Sequence, residues 1–235
     1  MLSGMSERDA REPPLDRIAL DPPEAQQRRL RLVEELIALG DAQTAPVIEA
    51  LRRVPRHLFI PEAEAAYAYD NVPLHIGDEQ TISQPTIVAV MTEALALTPR
   101  SRVLEIGTGS AYQAAVLSLI AQEVYSIERI PRFAREASER LRRLGYAGIE
   151  VRFGDGYAGW PERAPFDRIL LTAAPPMLPT ALLDQLVDGG VLVAPVGAAT
   201  AQELVRIHKQ QGRLRQESLG AVRFVPMLAG ALSRR

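Results

Sequence analysis

The segment Val103-Leu104-Glu105-Ile106-Gly107-Thr108-Gly109-Ser110-Ala111-Tyr112 constrains this chain more than any other. It reads as a buried strand running into a glycine turn that opens a helix, the local plan by which α/β folds hold nucleotide-like ligands. In a dinucleotide fingerprint the glycines follow Gly-x-Gly-x-x-Gly: the third packs helix on strand, and a pyrophosphate rests on the helix N-terminus. Gly107 and Gly109 fit the first two places, but Tyr112 occupies the third, and the small residue comes one place early, at Ala111. That spacing excludes the dinucleotide reading. Many glycine loops of this kind carry glycine at the Ala111 place. Alanine suits the first turn of a helix, so its methyl is tolerated there unless the backbone needs a positive φ.

After Pro99 the chain alternates strand and helix. Strands are predicted at Arg102–Ile106, Val124–Ile127, Ile149–Phe153, Arg168–Thr172 and Val191–Val196, and helices at Ala111–Ala121, Pro131–Leu144 and Pro179–Val187. The pattern predicts an α/β, doubly wound, mostly parallel sheet with helices on both faces. Glu203–His208 and Ala221–Val225, around Gly212, predict an antiparallel C-terminal edge. Upstream, Leu30, Val33, Leu36 and Ile37 recur at helical spacing from Ala25 to Gly40, and Val47, Leu51 and Val54 mark a second helix ending near Pro55. Ile60 to Pro85 is irregular, with Tyr67 and Tyr69 as expected packing anchors, and an ordered loop of that length is often functional. A helix over about Thr86–Leu97 follows. Residues 1–24 hold Pro13, Pro14, Pro22 and Pro23 among charges and read as a poorly ordered N-terminal extension. Residues 25–235 read as one domain, with N-terminal helices and the long loop in 25–98 and a Rossmann-like core with C-terminal strands in 99–235.

Composition removes several classes of function. A net charge of -2 over 235 residues gives no basic field for nucleic acid or anionic membrane, so neither partner is expected. The chain has no cysteine, which excludes disulfides, thiolate metal sites and a cysteine nucleophile, and no metal site is expected. Met1 to Glu12 lacks the apolar run of a signal peptide and no apolar stretch reaches membrane length, so a cytoplasmic location is expected.

In a doubly wound sheet, ligands sit beyond the carboxyl ends of the strands. The first strand is followed by the glycine loop, with Glu105 placed to hold a ligand ammonium. The second is followed by Glu128, 23 positions beyond Glu105, matching the acid expected about 20 residues on to bind ribose hydroxyls. The third is followed by Gly154-Asp155-Gly156, where Asp155 is placed to accept from an adenine amine. An acid-x-Gly-x-Gly-x-small loop with these two later acids resembles the S-adenosylmethionine site of Rossmann-like methyltransferases.

A wider set of motifs narrows the resemblance. Val54-Pro55-Arg56, Tyr69-Asp70-Asn71, Thr81-Ile82-Ser83-Gln84-Pro85, Glu128-Arg129-Ile130, Gly154-Asp155-Gly156-Tyr157, Thr172-Ala173-Ala174-Pro175-Pro176, Pro195-Val196-Gly197 and Val222-Arg223-Phe224-Val225-Pro226 accompany the glycine loop. Together they closely resemble the protein-L-isoaspartate O-methyltransferase family, from about residue 27 to the C-terminus. The resemblance implies methyl transfer from S-adenosylmethionine to the α-carboxylate of L-isoaspartyl residues in damaged proteins, initiating repair through a succinimide. It makes Ser83 the active-site residue, places Ser83, Gln84 and Val225 against the peptide, and places Thr81, Glu105, Gly107, Thr108, Gly109, Ser110, Glu128, Asp155, Gly156 and Thr172 around the cofactor. It also implies a cytosolic monomer, with His57, His75 and His208 structural or at the surface.

Three other readings compete. Ala174-Pro175-Pro176-Met177 is weakly similar to the Asp/Asn-Pro-Pro-aromatic motif of nucleic-acid aminomethyltransferases, but its first and last places differ and no basic patch compensates. A non-catalytic S-adenosylmethionine-binding interaction protein would rest on Ala111 and the N-terminal extension alone, against intact Ser83, Glu128 and Asp155. A nicotinamide dehydrogenase is disfavoured by the glycine spacing.

Overall fold

The structure is a computed structural model that describes residues 20–146 and 148–232, so most of the expected N-terminal extension lies outside the described residues. Helix α1 (Pro23–Leu39) starts two residues inside that extension, because Pro23 at the first helical position gives up no needed N–H. Gly40, at φ 78, ends it, its N–H donating to Ile37 O at 3.0 Å. Leu32, Val33 and Leu36 bury their face against Val47, Ala50 and Leu51 of α2 (Ala45–Arg53). Of the two expected anchors only Tyr69 is buried, its hydroxyl 2.7 Å from His57 Nδ1 and accepting from Arg29 Nη1 at 3.2 Å. Tyr67 is 54% exposed at the end of a 3-10 turn, Glu62–Tyr67, that buries no residue.

The long irregular loop holds a hairpin that the sequence reading missed. Strands β1 (Leu74–Gly77) and β2 (Gln80–Ile82) pair antiparallel around Asp78 and Glu79, at φ 47 and 57. Two successive left-handed residues match the right-handed twist of the strands, but this turn ordinarily announces itself with Asn-Gly or Asp-Gly. Leu74, Ile76 and Ile82 point inward, and Asp78 Oδ2 pairs with Arg132 Nη2 at 2.9 Å. Helix α3 (Pro85–Ala94) follows, its first turn held by Asn71 Oδ1, which accepts from Thr86 N at 3.0 Å. Ser83 and Gln84 are thereby stretched between a strand and an anchored helix.

The main sheet has seven strands in the order β5-β4-β3-β6-β7-β8-β9. These are β3 (Arg102–Ile106), β4 (Glu123–Glu128), β5 (Ile149–Phe153), β6 (Phe166–Leu171), β7 (Leu186–Ala198), β8 (Ala201–Gln210) and β9 (Arg213–Val222). β3 to β7 run parallel; β8 and β9 reverse. The switch point therefore falls between β3 and β6. Helices α4 (Tyr112–Ser118), α5 (Pro131–Arg143) and α6 (Thr180–Asp184) connect the parallel strands. The last helix is shorter than expected because Leu186 already pairs with Phe166. The last strand is also displaced: β9 begins at Arg213 rather than near Ala221. Its polar residues belong to an exposed edge, where charge protects against further pairing.

Side chains alternate across β3. Leu104 and Ile106 pack with Ile169, Leu171 and Leu192, whereas Val103 packs on the other face with Leu170, Met91 and Leu117. Glu105 takes the Val103 face and is fully buried. Its Oε2 accepts from Ser126 Oγ, which lies 2.6 Å from Thr108 Oγ1, and its Oε1 has no hydrogen-bond partner among the described residues. Burial, with a smaller push from the charge of Glu128, raises the Glu105 carboxyl to about 8 against the pull of Ser126.

At the turn into α4, Ala111 is completely buried with φ 70 and ψ 9. The sequence reading of a right-handed first-turn alanine is thus corrected. Ala111 caps the helix in the left-handed region, where a Cβ crowds the following carbonyl at roughly 1–2 kcal/mol.

Two consequences are measurable. Ala111→Gly relieves that strain of roughly 1–2 kcal/mol and loses one buried methyl worth about 0.8 kcal/mol, so a net gain of about 0.2–1.2 kcal/mol should raise the melting temperature by about 1–3 °C. An unchanged or lower melting temperature would show that the methyl's packing outweighs the strain. For Glu105, the unfolded chain releases its proton above about 4.5 while the folded protein keeps it until about 8. The stability this carboxyl gives is complete below the lower value and is lost as pH rises to the upper one. Relative to Glu105→Gln, the wild-type urea midpoint should fall between pH 5 and 8 and then level off; parallel curves for the two proteins would refute a raised pKa.

Candidate active site

One cleft opens across the carboxyl ends of β3, β4 and β6, closed on one side by β2 and on the other by residues 225–228. Thr81, Ser83, Gly107, Thr108 and Gly109 line it, as do Ser110, Glu128, Gly156, Thr172 and Val225. The structure thus brings ten of the thirteen sequence-predicted site residues to a single cavity. Glu105, Gln84 and Asp155 do not line it. Glu105 lies behind the loop on the opposite face of β3 from Ile106, which does line the cleft.

The loop is shaped by close approaches that forbid side chains. Gly107, at φ 99, donates its N–H to Ile127 O at 2.8 Å, and its carbonyl accepts from Thr172 Oγ1 at 2.7 Å. A Cβ on Gly107 would meet Thr172 Oγ1 at 2.3 Å, and one on Gly156 would meet Ile106 Cγ2 at 2.4 Å. Bare backbone is therefore presented to the cleft from two loops. The cleft has an empty volume of about 1170 Å³ including its open mouth, room for an adenosyl group with a peptide end beside it. The donor set fits S-adenosylmethionine: a glycine cradle, a buried acid beyond β4 for ribose hydroxyls, and hydroxyls of Thr81, Thr108 and Ser110.

The two acids beyond β4 and β5 hold backbone as well. Glu128 is 5% exposed; its Oε2 accepts from Gly109 N at 2.8 Å and its Oε1 from Ile130 N at 2.9 Å. Burial raises its pKa, opposed by those N–H groups. Each oxygen keeps a second lone pair for a hydroxyl donor. Asp155 Oδ1 accepts from Tyr157 N, and Oδ2 accepts from Gly230 N, both at 2.9 Å. With Arg129 O accepting from Leu232 N, it ties the C-terminal segment over this end of the cleft.

At the other end Ser83 is partly buried, and its hydroxyl makes no hydrogen bond among the described residues. Gln84 is the N-cap position of α3 and contributes its carbonyl, which accepts from Val88 N at 3.1 Å. Val225 reaches the cleft because Ala174 N donates to its carbonyl at 2.9 Å. Sequence reasoning missed the lining residues Val88, Tyr112, Gln113 and Met227. Tyr112 and Gln113 were within reach of it, because side chains in the first turn of a helix lean back toward the preceding loop.

The model of the family described as Protein-L-isoaspartate(D-aspartate) O-methyltransferase (PCMT) matches residues 27–231. Curated relatives named Protein-L-isoaspartate O-methyltransferase include one from Syntrophobacter fumaroxidans, 51% identical over 86% of this chain and 95% of its own. Another, from Halorhodospira halophila, is 53% identical over 88% and 94%. A solved structure of the same name superposes with a TM-score of 0.78 at 29% identity, over 84% of this chain and 65% of that one. A Plasmodium falciparum structure in complex with S-adenosyl-L-homocysteine shares the fold, with a TM-score of 0.75 at 24% identity over 85% and 98%. The chain belongs to the protein-L-isoaspartate O-methyltransferase family.

Proposed function

We propose that this protein methylates the α-carboxylate of L-isoaspartyl residues in proteins and peptides, with S-adenosylmethionine as donor. The observation that carries the reading is that the Thr81–Ser83 segment and the glycine loop line the same cleft. The cofactor supplies an electrophilic methyl on a sulfonium. A carboxylate is already a nucleophile at neutral pH, so the chain has no proton to remove. Its residues align and dehydrate, effects that can supply about 7–11 kcal/mol. Gly107, Gly109, Gly156 and Glu128 hold the adenosyl end, with Asp155 fixing the segment that closes over it. Ser83, free of internal partners, donates to the substrate carboxylate, and the carbonyl-linked Val225 segment forms the wall against the peptide.

The backbone amide nitrogen on the side-chain carbonyl then attacks the ester carbonyl and expels methanol, closing a succinimide without further help, and hydrolysis of the succinimide returns some normal aspartate. Discrimination against aspartate follows from reach: isoaspartate carries one more methylene in its main chain. The reading takes residues 25–235 as one methyltransferase domain working as a cytoplasmic monomer on proteins rather than nucleic acid. Among the described residues no helix is long and apolar enough to cross a membrane.

Two peptides differing only in Asp or isoAsp, incubated with labelled S-adenosylmethionine, test the reaction. Base-labile label on the isoAsp peptide alone is expected; no transfer to either, with cofactor still bound, would leave the non-catalytic binding protein as the better reading. For Ser83→Ala, loss of one hydrogen bond to a charged group should lower kcat/KM on the isoAsp peptide by about 10- to 100-fold. The affinity for S-adenosylhomocysteine should stay within about twofold; an equal loss in both would move Ser83 from the peptide to the cofactor.

A further inference from the structure

Glu105 was the expected acceptor for the cofactor's ammonium, yet it lies on the far face of β3 from Ile106, does not line the cleft, and is fully buried with Oε2 accepting from Ser126. The cleft instead contains a polar group that the sequence reading did not use. Gln113, in the first turn of α4, lines the cleft and is only 9% exposed. Its Nε2 donates to Thr92 Oγ1 at 3.0 Å, and Thr92 Oγ1 donates its own hydrogen to Val88 O at 2.7 Å. Since Thr92 has spent its only hydrogen on a carbonyl, its oxygen can only accept from Gln113. This fixes which end of the amide faces Thr92 and leaves Oε1 as the free end. Oε1 has no partner among the described residues.

The position of this oxygen limits what it can bind. Gln113 is braced on α3 through Thr92, one turn beyond Val88, which also lines the cleft, whereas Glu128 ends β4 and Gly156 follows β5 at the other side of the glycine loop. Gln113 therefore faces the α3 side of the cleft, away from the acid assigned to the ribose hydroxyls, where the methionyl end of the cofactor would lie. The reacting carboxylate of the substrate accepts hydrogen bonds and cannot satisfy another acceptor. The cofactor's methionyl ammonium donates three. We propose that Gln113 is a cofactor-binding residue whose Oε1, oriented by Thr92, accepts from the methionyl ammonium. The proposal rests on the methyltransferase reading above. A neutral amide recognises the ammonium without placing a second negative charge beside the substrate carboxylate.

Calorimetry with S-adenosylhomocysteine and with its deamino analogue, in which hydrogen replaces the ammonium, tests this without turnover. Wild type should prefer S-adenosylhomocysteine by at least about tenfold. Gln113→Leu should lose about 10- to 100-fold for S-adenosylhomocysteine while binding the deamino analogue within about twofold of wild type. Gln113→Glu, which keeps an acceptor of the same length, should retain the preference even if Gln113→Leu folds poorly. Thr92→Val, which leaves the amide free to turn, should lower the preference part of the way. Equal weakening of both ligands in Gln113→Leu would make the residue a packing element and overturn the proposal. A raised KM for the isoAsp peptide with unchanged ligand affinities would overturn it too, placing the amide against peptide N–H groups. Failure of the methyltransferase reading would be seen separately, as absence of S-adenosylhomocysteine binding by the wild type.

Discussion

The three-way tie around Gly107 governs the geometry of the whole carboxyl end of the sheet. Its N–H reaches across to β4 through Ile127 O, and its carbonyl is held from β6 by Thr172 Oγ1. β3 is the central strand of the three, so one peptide unit registers both neighbours against the glycine loop. Thr172 approaches so closely that any side chain at position 107 would have to displace it. The requirement for glycine thus comes from the protein's own packing before any ligand arrives. One residue further on, Glu128 locks Gly109 to the end of β4, so the loop is pinned at both glycines. A loop fixed in this way loses little further freedom when it binds, which is how preorganisation turns contact into affinity.

The far end of the chain completes the site that the middle begins. After β9 the backbone returns across the strand ends: Met227 N donates to Ala174 O, Tyr157 Oη to Met227 O, and Gly230 N to Asp155. The segment thus makes one wall of the cleft from residues more than a hundred positions away from the glycine loop. Acids that bind a ligand's hydroxyl or amine in such folds are here also structural acceptors for backbone N–H groups. The two uses are compatible because a carboxylate carries about four acceptor sites.

How far the sequence reveals this depends on whether each element has its own periodicity. β3, β4, β6 and the middle of β7 are buried runs between helices of apolar period, and they are legible because burial on two faces leaves few polar residues in them, whereas β5, at the other edge of the sheet, has no buried residue and shows only an apolar–polar alternation. β9 is not legible, since an edge strand facing solvent carries the composition of a loop; the apolar Val222, Phe224 and Val225 drew the expectation toward its far end, where only Ala221 and Val222 still pair with β8 and the chain beyond makes an isolated bridge at Pro226. The β1–β2 hairpin escaped because Asp78-Glu79 is an uncommon sequence for two left-handed residues. Glu105 shows a different failure. Its place in the motif suggested a ligand contact, but the period of two along β3 that sends Ile106 to the cleft sends Glu105 to the opposite face. The strain at Ala111 was invisible for a simpler reason, since alanine favours the right-handed conformation and only the turn geometry demands the other.

The charges around the cleft fit the proposed use of the Ser83 hydroxyl at the substrate end. Arg129 is the sole cationic lining residue among the described residues, and it sits beyond β4 with its Nε 3.3 Å from Gly230 O, at the adenosyl end. An arginine or lysine beside Ser83 would bind an isoaspartyl carboxylate tightly. The negative charge of that carboxylate falls as it attacks, however, so the ion pair would be stronger in the ground state than in the transition state and would raise the barrier. A single neutral hydroxyl, the role proposed for Ser83, would orient the nucleophile while leaving most of its charge free. Removal of water does the rest, because the charges of carboxylate and sulfonium are neutralised as the methyl transfers, and water stabilises the separated charges more than it stabilises the transition state. The buried acids fit the same logic: burial raises the Glu105 carboxyl to about 8, which favours its neutral form at pH 7, and the charge of Glu128 is turned toward the backbone N–H groups of Gly109 and Ile130.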